Sequence, residues 1–321
     1  MSFLKSRKRA NETLLDEILE EERPPSSFAM DSSVSNANMS DTRLNAINEP
    51  TIAVMLPTYR EAQNIESLIR EIQRLNQRVL VLVIDDSSPD GTADIVRRLQ
   101  EEYDNVTLFV RPAKLGLGTA ITAGFRLLLS LENPPDYIIA MDSDYSHNPK
   151  DIPRLVNSAK HGNDLVIGSR YSHGGKTEGW PIARQLISHV ANLIATMMVG
   201  MKIQDCTSGF RCYSIDYVRS VIGNLHSQTY EIQIETVKQA WIRKFRVGEV
   251  PIVFSNRKRG KSKLTKVEFR SFLAYVIKAK FGVTIASEEE NRESKNSFPN
   301  AYRVDEGIER LIDIYRRIRF F

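Results

Sequence analysis

The chain is expected to fold as an α/β protein around a mostly parallel, doubly wound sheet. Three features predict this. Strand-like and helix-like stretches alternate from Thr51 onward. VLVLVI (79–84) is apolar at every position, as in a strand covered on both faces. The polar clusters fall where strands end, the rim on which such sheets bind ligands.

TIAVML (51–56) reads as the first strand. Ile65, Leu68, Ile69, Ile72 and Leu75 then recur at helical spacing. After VLVLVI come a helix over 91–102, the strand VTLFV (106–110), a helix over 117–131 and the strand YIIAM (137–141). A helix near 151–160 and the strand DLVIG (164–168) complete the alternation. Residues 1–48 differ in composition. Leu14, Leu15, Ile18 and Leu19 fit a short amphipathic helix, and the Ser-, Asn- and Pro-rich stretch that follows reads as a disordered tether. The main domain is expected over 49–265.

Composition narrows the possibilities. A net charge of +4 over 321 residues implies no strong general affinity for polyanions. Cys206 and Cys212 are the two cysteines, so no disulfide framework is expected and both are assigned to packing. The N-terminal stretch lacks a signal-peptide core, and no apolar run reaches the length of about 18 residues needed to span a bilayer. The chain is expected to be soluble or to lie on a membrane surface.

The most informative segment is YIIAMDSDYSHN (137–148), an apolar strand ending in two aspartates one residue apart. Carboxylates converging at a strand end repel one another. A divalent cation relieves that repulsion by taking hard oxygen ligands beside phosphate oxygens and water. Asp142 and Asp144 are therefore candidate ligands of Mg²⁺ or Mn²⁺. His147 is taken as a turn residue, because hard cations prefer oxygen. The other strand ends carry PTYREAQN (57–64), DDSSPDGT (85–92) and GSRYSHGG (168–175), so four polar segments converge on one rim.

With RPAKLGLGTA (111–120), GWPIARQLISHVAN (179–192), DCTSGFR (205–211) and NRKRGKSKL (256–264), these motifs resemble family 2 glycosyltransferases of the GT-A fold. More narrowly, the chain is similar to the polyprenol-phosphate (dolichol-phosphate) mannose synthases over about 51–282. The resemblance implies transfer of mannose from GDP-mannose to a polyprenyl phosphate, with inversion. It places Pro57, Tyr59, Glu61, Ile84, Asp86, Lys114, Asp142, Ser143 and Asp144 around the nucleotide sugar. Asp142, Asp144 and Ser146 would hold the metal, although Ser146 is a weaker ligand than the carboxamide of relatives. Arg170, Arg184, Ser188, Arg257 and Lys263 would bind the lipid phosphate, and Asp205 would orient the basic groups. Asp142, Asp144, Arg170 and Asp205 form the catalytic set. A phosphate acceptor is already ionised at neutral pH, so no histidine is needed as base.

Plainer readings stand beside these. Glu61 suits a helix N-terminus, and Asp90 with Gly91 suits a turn. The glycines at 116 and 118 suit either anion binding or close packing. The basic run 256–266 lacks the interleaved aromatics and fold of a nucleic-acid binder. Alternatives in function are another nucleotide sugar such as UDP-glucose, a haloacid-dehalogenase-type phosphatase, and a non-catalytic sugar-nucleotide-binding subunit. Beyond the main domain, Phe269, Phe272, Leu273 and Val276 predict an amphipathic interface helix over 266–285. Val304, Ile308, Leu311, Ile312, Tyr315 and Ile318 predict a basic amphipathic helix within 286–321. These point to peripheral attachment at the cytoplasmic face of a membrane. Docking onto the protein's own surface, onto small membrane subunits or onto a second copy is the other reading of those stripes.

Overall fold

The structure, a computed structural model, describes residues 50–75, 79–200 and 202–256. The expected tail over 1–48, the helices expected at 266–285 and within 286–321, and Arg257 and Lys263 lie outside the described residues.

A seven-stranded sheet forms the centre. Its strands are β1 (Ile52–Thr58), β2 (Val79–Asp85), β3 (Val106–Val110), β4 (Tyr137–Ala140), β5 (Leu165–Ser169), β7 (Arg211–Ser214) and β8 (Val247–Pro251), in the order β3-β2-β1-β4-β7-β5-β8. A parallel pair, β6 (Lys176–Glu178) and β9 (Val253–Ser255), makes a second small sheet. The first four strands are parallel as expected, and β5 pairs in parallel with β8. Between β4 and β5, however, lies β7, antiparallel to both. That strand was not anticipated: RCYS is four residues long and opens on an arginine, so it carries little strand signal of its own.

Side chains alternate across the sheet and so generate two cores. Ala53, Met55, Leu82, Ile84, Ile138 and Ala140 face one layer. It is built from α3 (Leu117–Leu129), α6 (Ile215–Val221) and α7 (Ile232–Ile242). Val54, Leu56, Val81, Val83 and Ile139 face the opposite layer, which contains α1 (Ile65–Gln73), α2 (Thr92–Glu102) and α4 (Ile152–Lys160). A continuously apolar strand such as β2 is what this double covering requires. The long helix α5 (Ile182–Val199) follows the small sheet. No described helix is long and apolar enough to cross a membrane.

The start of α3 is fixed by close approach. Gly116 has φ +98, and a Cβ there would lie 2.4 Å from the Gln228 carbonyl oxygen. At Gly118 it would lie 2.3 Å from the Ser227 carbonyl oxygen. The partner loop is held by two buried carboxylates: Glu235 accepts the His226 and Ser227 N–H groups, and Glu231 accepts those of Gln228 and Thr229. These glycines thus serve packing. Gly118→Ala should cost about 1–3 kcal/mol, the usual range for overpacking. Gly223→Ala, where no atom lies within 4 Å, should change thermal stability little. Equal melting temperatures for the two variants would contradict the packing assignment.

Candidate active site

The candidate site lies beyond the carboxyl ends of β1, β2, β4 and β5. Register sets it there: Thr58 at the end of β1 is level with Asp85 at the end of β2. β4 stops at Ala140, level with Met55, so the aspartates that follow extend past the sheet.

At the end of β2, Asp85 is wholly buried and accepts from the Thr58 hydroxyl at 2.8 Å and from the Ser88 N–H and hydroxyl at 2.8 and 2.6 Å. It is a turn anchor. Asp86 is also buried; its Oδ1 lies 2.5 Å from the guanidinium of buried Arg111 and its Oδ2 accepts the Leu115 N–H at 3.1 Å. Arg111 donates onward to Thr119 at 2.8 Å and to the Gly116 carbonyl at 3.0 Å. Asp86 therefore organises the 111–119 loop. That loop brings exposed Lys114 to 5.2 Å from the centre of the Tyr59 ring, with Arg60 at 5.5 Å. Glu61 is buried, accepts from the Asn64 amide at 2.9 Å, and has its own N–H on the Thr92 hydroxyl at 3.0 Å. Pro57 is half-buried, and its carbonyl accepts from Ser143 at 3.2 Å. Ile84 has its side chain fully buried in the core against Gly124 and can offer a ligand only its backbone. Asp90 and Gly91 do form the turn expected, with Gly91 at φ +84 and Asp90 accepting from Thr92.

The Asp142–Asp144 turn is braced from within. The Asp144 carboxylate accepts from the Ser146 N–H at 3.0 Å and hydroxyl at 2.5 Å. Ser146 thus orients Asp144. The side chain of Asp142 remains 41% exposed, and a Cβ on Gly209 would lie only 3.5 Å from its Oδ1. Tyr145 takes the left-handed φ of +63 that closes the turn. His147 lies in this turn, as expected, but not at its surface. It is completely buried, stacked on Phe210 at 5.0 Å and met edge-on by Phe254 at 5.2 Å. Burial lowers its pKa to about 4, so the ring is neutral at pH 7. Its Nδ1 accepts the Asp142 N–H at 3.1 Å, which places the remaining proton on Nε2. The spacing within SDYSHN showed a turn but not the aromatic pocket, whose walls lie more than sixty residues away.

Arg170 at the end of β5 is buried and paired with buried Asp205 through two parallel bonds of 2.8 Å, Nε to Oδ2 and Nη2 to Oδ1. The Arg170 N–H also donates to Asp205, at 2.9 Å, and Nη2 reaches Thr207 at 2.6 Å. Burial opposes charge on both groups, yet each holds the other ionised: Asp205 below the usual carboxylate range and Arg170 above its ordinary value. Tyr171, Trp180 and Phe254 surround the guanidinium at 5.0, 6.0 and 5.5 Å. Asp205 is therefore not a solvated loop carboxylate: it fixes the direction of the Arg170 guanidinium. Arg184 and Ser188 both lie on α5, one turn apart, and the Ser188 hydroxyl is 2.7 Å from that of Tyr171. Cys206 and Cys212 are buried free thiols, consistent with packing.

Two buried polar residues escaped the sequence reading. Arg211 donates to the carbonyls of Ser208, Cys206 and Gln233 at 2.8, 2.8 and 2.7 Å and to the Thr236 hydroxyl at 2.6 Å. Gln233 itself lies at the start of α7. The available signal was EIQIE (231–235), polar at alternate positions in an otherwise apolar helix start.

Residues 53–222 match the profile of glycosyl transferase family 2. The chain belongs to that family. Among curated proteins, this glycosyltransferase is 40% identical over 67% of its length to an undecaprenyl-phosphate mannosyltransferase of Micrococcus luteus, 87% of which is covered. It is 34% identical over 72% of its length to a polyprenol monophosphomannose synthase of Mycolicibacterium smegmatis, 86% of which is covered. Among solved structures, glucosyl-3-phosphoglycerate synthase of Mycobacterium tuberculosis, with Mn²⁺, UDP and glucosyl-3-phosphoglycerate, aligns at TM-score 0.54 and 19% identity over 79% of this chain and 86% of its own. The same enzyme with Mg²⁺ and UDP aligns at TM-score 0.56 and 20% identity, over 81% of this chain and 85% of its own. At that identity the likeness establishes the GT-A-like fold. Among the described residues no three His, Cys, Asp or Glu side chains cluster as a metal cage. Two hard carboxylates with room beside Gly209 suit a cation that completes its shell with phosphate and water.

The buried pair at β5 has a measurable consequence. Asp205→Ala should destabilise the protein by about 3–5 kcal/mol, because it strands a buried guanidinium. The double variant Asp205→Ala/Arg170→Ala should recover part of that loss in urea unfolding. A double variant that loses the sum of the two single losses would show the pair to be uncoupled.

Proposed function

We propose that this glycosyltransferase transfers mannose from GDP-mannose to a polyprenyl phosphate, inverting the anomeric centre. The observation that carries the reading is the braced Asp142–Asp144 turn at the end of β4, on one rim with the Arg170–Asp205 pair at the end of β5. Similarity over most of their length to two polyprenyl-phosphate mannose-transferring relatives supports the choice of sugar and acceptor.

Asp142 and Asp144 would hold Mg²⁺ or Mn²⁺, which offsets the charge of the departing diphosphate. Tyr59, Glu61 and Lys114 would face the nucleoside and its phosphates, with Pro57, Ser143 and Asp86 as their support. The acceptor is a phosphate monoester, ionised at neutral pH. One of its oxygens attacks C1 of mannose from the face opposite the leaving group; the C1–O bond to the nucleoside diphosphate breaks, and no proton has to be removed. His147, neutral and enclosed between two rings, fits a structural role in this scheme. Because Asp205 already neutralises Arg170, net positive charge for the lipid phosphate falls to Arg184, Arg257 and Lys263, with Ser188 as a hydroxyl donor. A polyprenyl acceptor places the enzyme at a membrane surface.

The direct test is transfer from GDP-mannose, with UDP-glucose as the competing donor, to a short polyprenyl phosphate. A β-linked lipid-phosphate mannose is expected; turnover of UDP-glucose alone would replace the donor assignment, and turnover of neither would favour a binding subunit. Asp144→Ala should abolish transfer and weaken metal-dependent nucleotide binding while leaving the melting temperature near that of the parent. Full activity of that variant, or of the parent in excess chelator, would contradict the metal assignment. Arg184→Ala should chiefly raise KM for the lipid phosphate. An equal loss of GDP-mannose affinity would move Arg184 to the donor side.

A further inference from the structure

Gln233 is only 4% exposed, and its Oε1 is buried without a hydrogen-bond partner among the described residues. Buried amides are ordinarily satisfied, so an unpartnered one calls for a cause. Its surroundings supply one. A Cβ on Gly209 would lie 3.5 and 3.8 Å from the two Asp142 carboxylate oxygens and 3.6 Å from Gln233 Nε2, its three nearest neighbours. Gly209 therefore keeps open a small space walled by the Asp142 carboxylate and the Gln233 amide.

The amide is held in place from its backbone. The Gln233 carbonyl accepts from Arg211 at 2.7 Å, and its N–H donates to the Tyr230 carbonyl at 3.2 Å. Its neighbours Glu231 and Glu235 are occupied elsewhere, on the N–H groups of the 226–229 loop. Beside Asp142, a third carboxylate would add like-charge repulsion; a neutral amide adds none, and it offers one donor group and one acceptor. That is the complement of a hydroxyl group.

Resting on the function proposed above, we infer that Gln233 recognises a hydroxyl of the donor's hexosyl group and so contributes to sugar specificity. In that reaction the sugar has to lie between the diphosphate at Asp142 and the acceptor phosphate. Asp142 borders the space at Gly209, and the 205–211 loop that carries Gly209 also carries Asp205, the partner of Arg170.

The test uses the full chain with GDP-mannose and its four monodeoxy-mannose analogues, each lacking one sugar hydroxyl. For the parent enzyme, one analogue should lose about ten-fold in kcat/KM, the scale of a single neutral hydrogen bond. Gln233→Leu should lose a similar factor on intact GDP-mannose and be indifferent to that one deletion, while its affinity for GDP alone, read by calorimetry, stays at the parent value. Gly209→Ala is a second probe: its Cβ would make only ordinary contacts, so the fold should persist while kcat/KM falls. The inference is overturned if Gln233→Leu pays the same penalties as the parent for all four deletions, or if Gly209→Ala turns over intact donor at the parent rate. Should the parent use UDP-glucose instead, the mannose reading fails, and the same deletions on that donor decide the role of Gln233.

Discussion

The buried pair between Arg170 and Asp205 is the contact on which the site's geometry depends. It joins the end of β5 to the loop before β7, thirty-five positions later. That loop supplies Gly209 beneath Asp142 and leads into Arg211, which grips the first turn of α7. An ion pair this deeply buried is weak evidence of net stability, since desolvation cancels much of the attraction. Its value lies in direction. A bidentate fork flanked by three aromatic rings admits essentially one arrangement of the two chain segments.

A common pattern runs around the rim. Asp86 is matched by Arg111, Asp205 by Arg170, and His147 is kept neutral by burial. In these two buried pairs the charges offset each other, and each pair fixes a loop. Asp142, by contrast, stays two-fifths exposed in a turn whose shape is set by Ser146 on Asp144 and by His147 on the Asp142 N–H. In the function proposed above, such bracing would let a cation and a diphosphate meet carboxylates already in position, adding little ordering cost on binding.

The parallel strands β1 to β5 and the polar rim were legible because they rest on local signals: continuous apolar runs, helical periodicity and turn residues. β7 was not, since four residues beginning with Arg211 gain strand character only by slotting between β4 and β5. The same holds within the site. Asp142 and Asp144 stand out as two acids at the end of an apolar strand. By contrast, the spacing around His147 gave no hint of its pocket, which is built from Phe210 and Phe254. Arg170 read as one of several phosphate cations that Asp205 would orient; their burial together as a single bidentate pair, thirty-five positions apart, emerges only in the fold. Ile84, given a ligand role through family likeness, has its side chain in the core, which leaves only its backbone for such a role. Gln233 was hidden in a helix start whose polar neighbours turned out to be loop anchors.

The claim on which most depends is that Asp142 and Asp144 form a metal site completed by the nucleotide's phosphates. Free Mn²⁺ followed by electron paramagnetic resonance, during titration into the protein with and without GDP, tests it directly. Tight binding of a single ion per chain should develop only when GDP is present, and should vanish in Asp142→Asn. Mn²⁺ bound equally well without GDP, or by Asp142→Asn with it, would contradict the assignment.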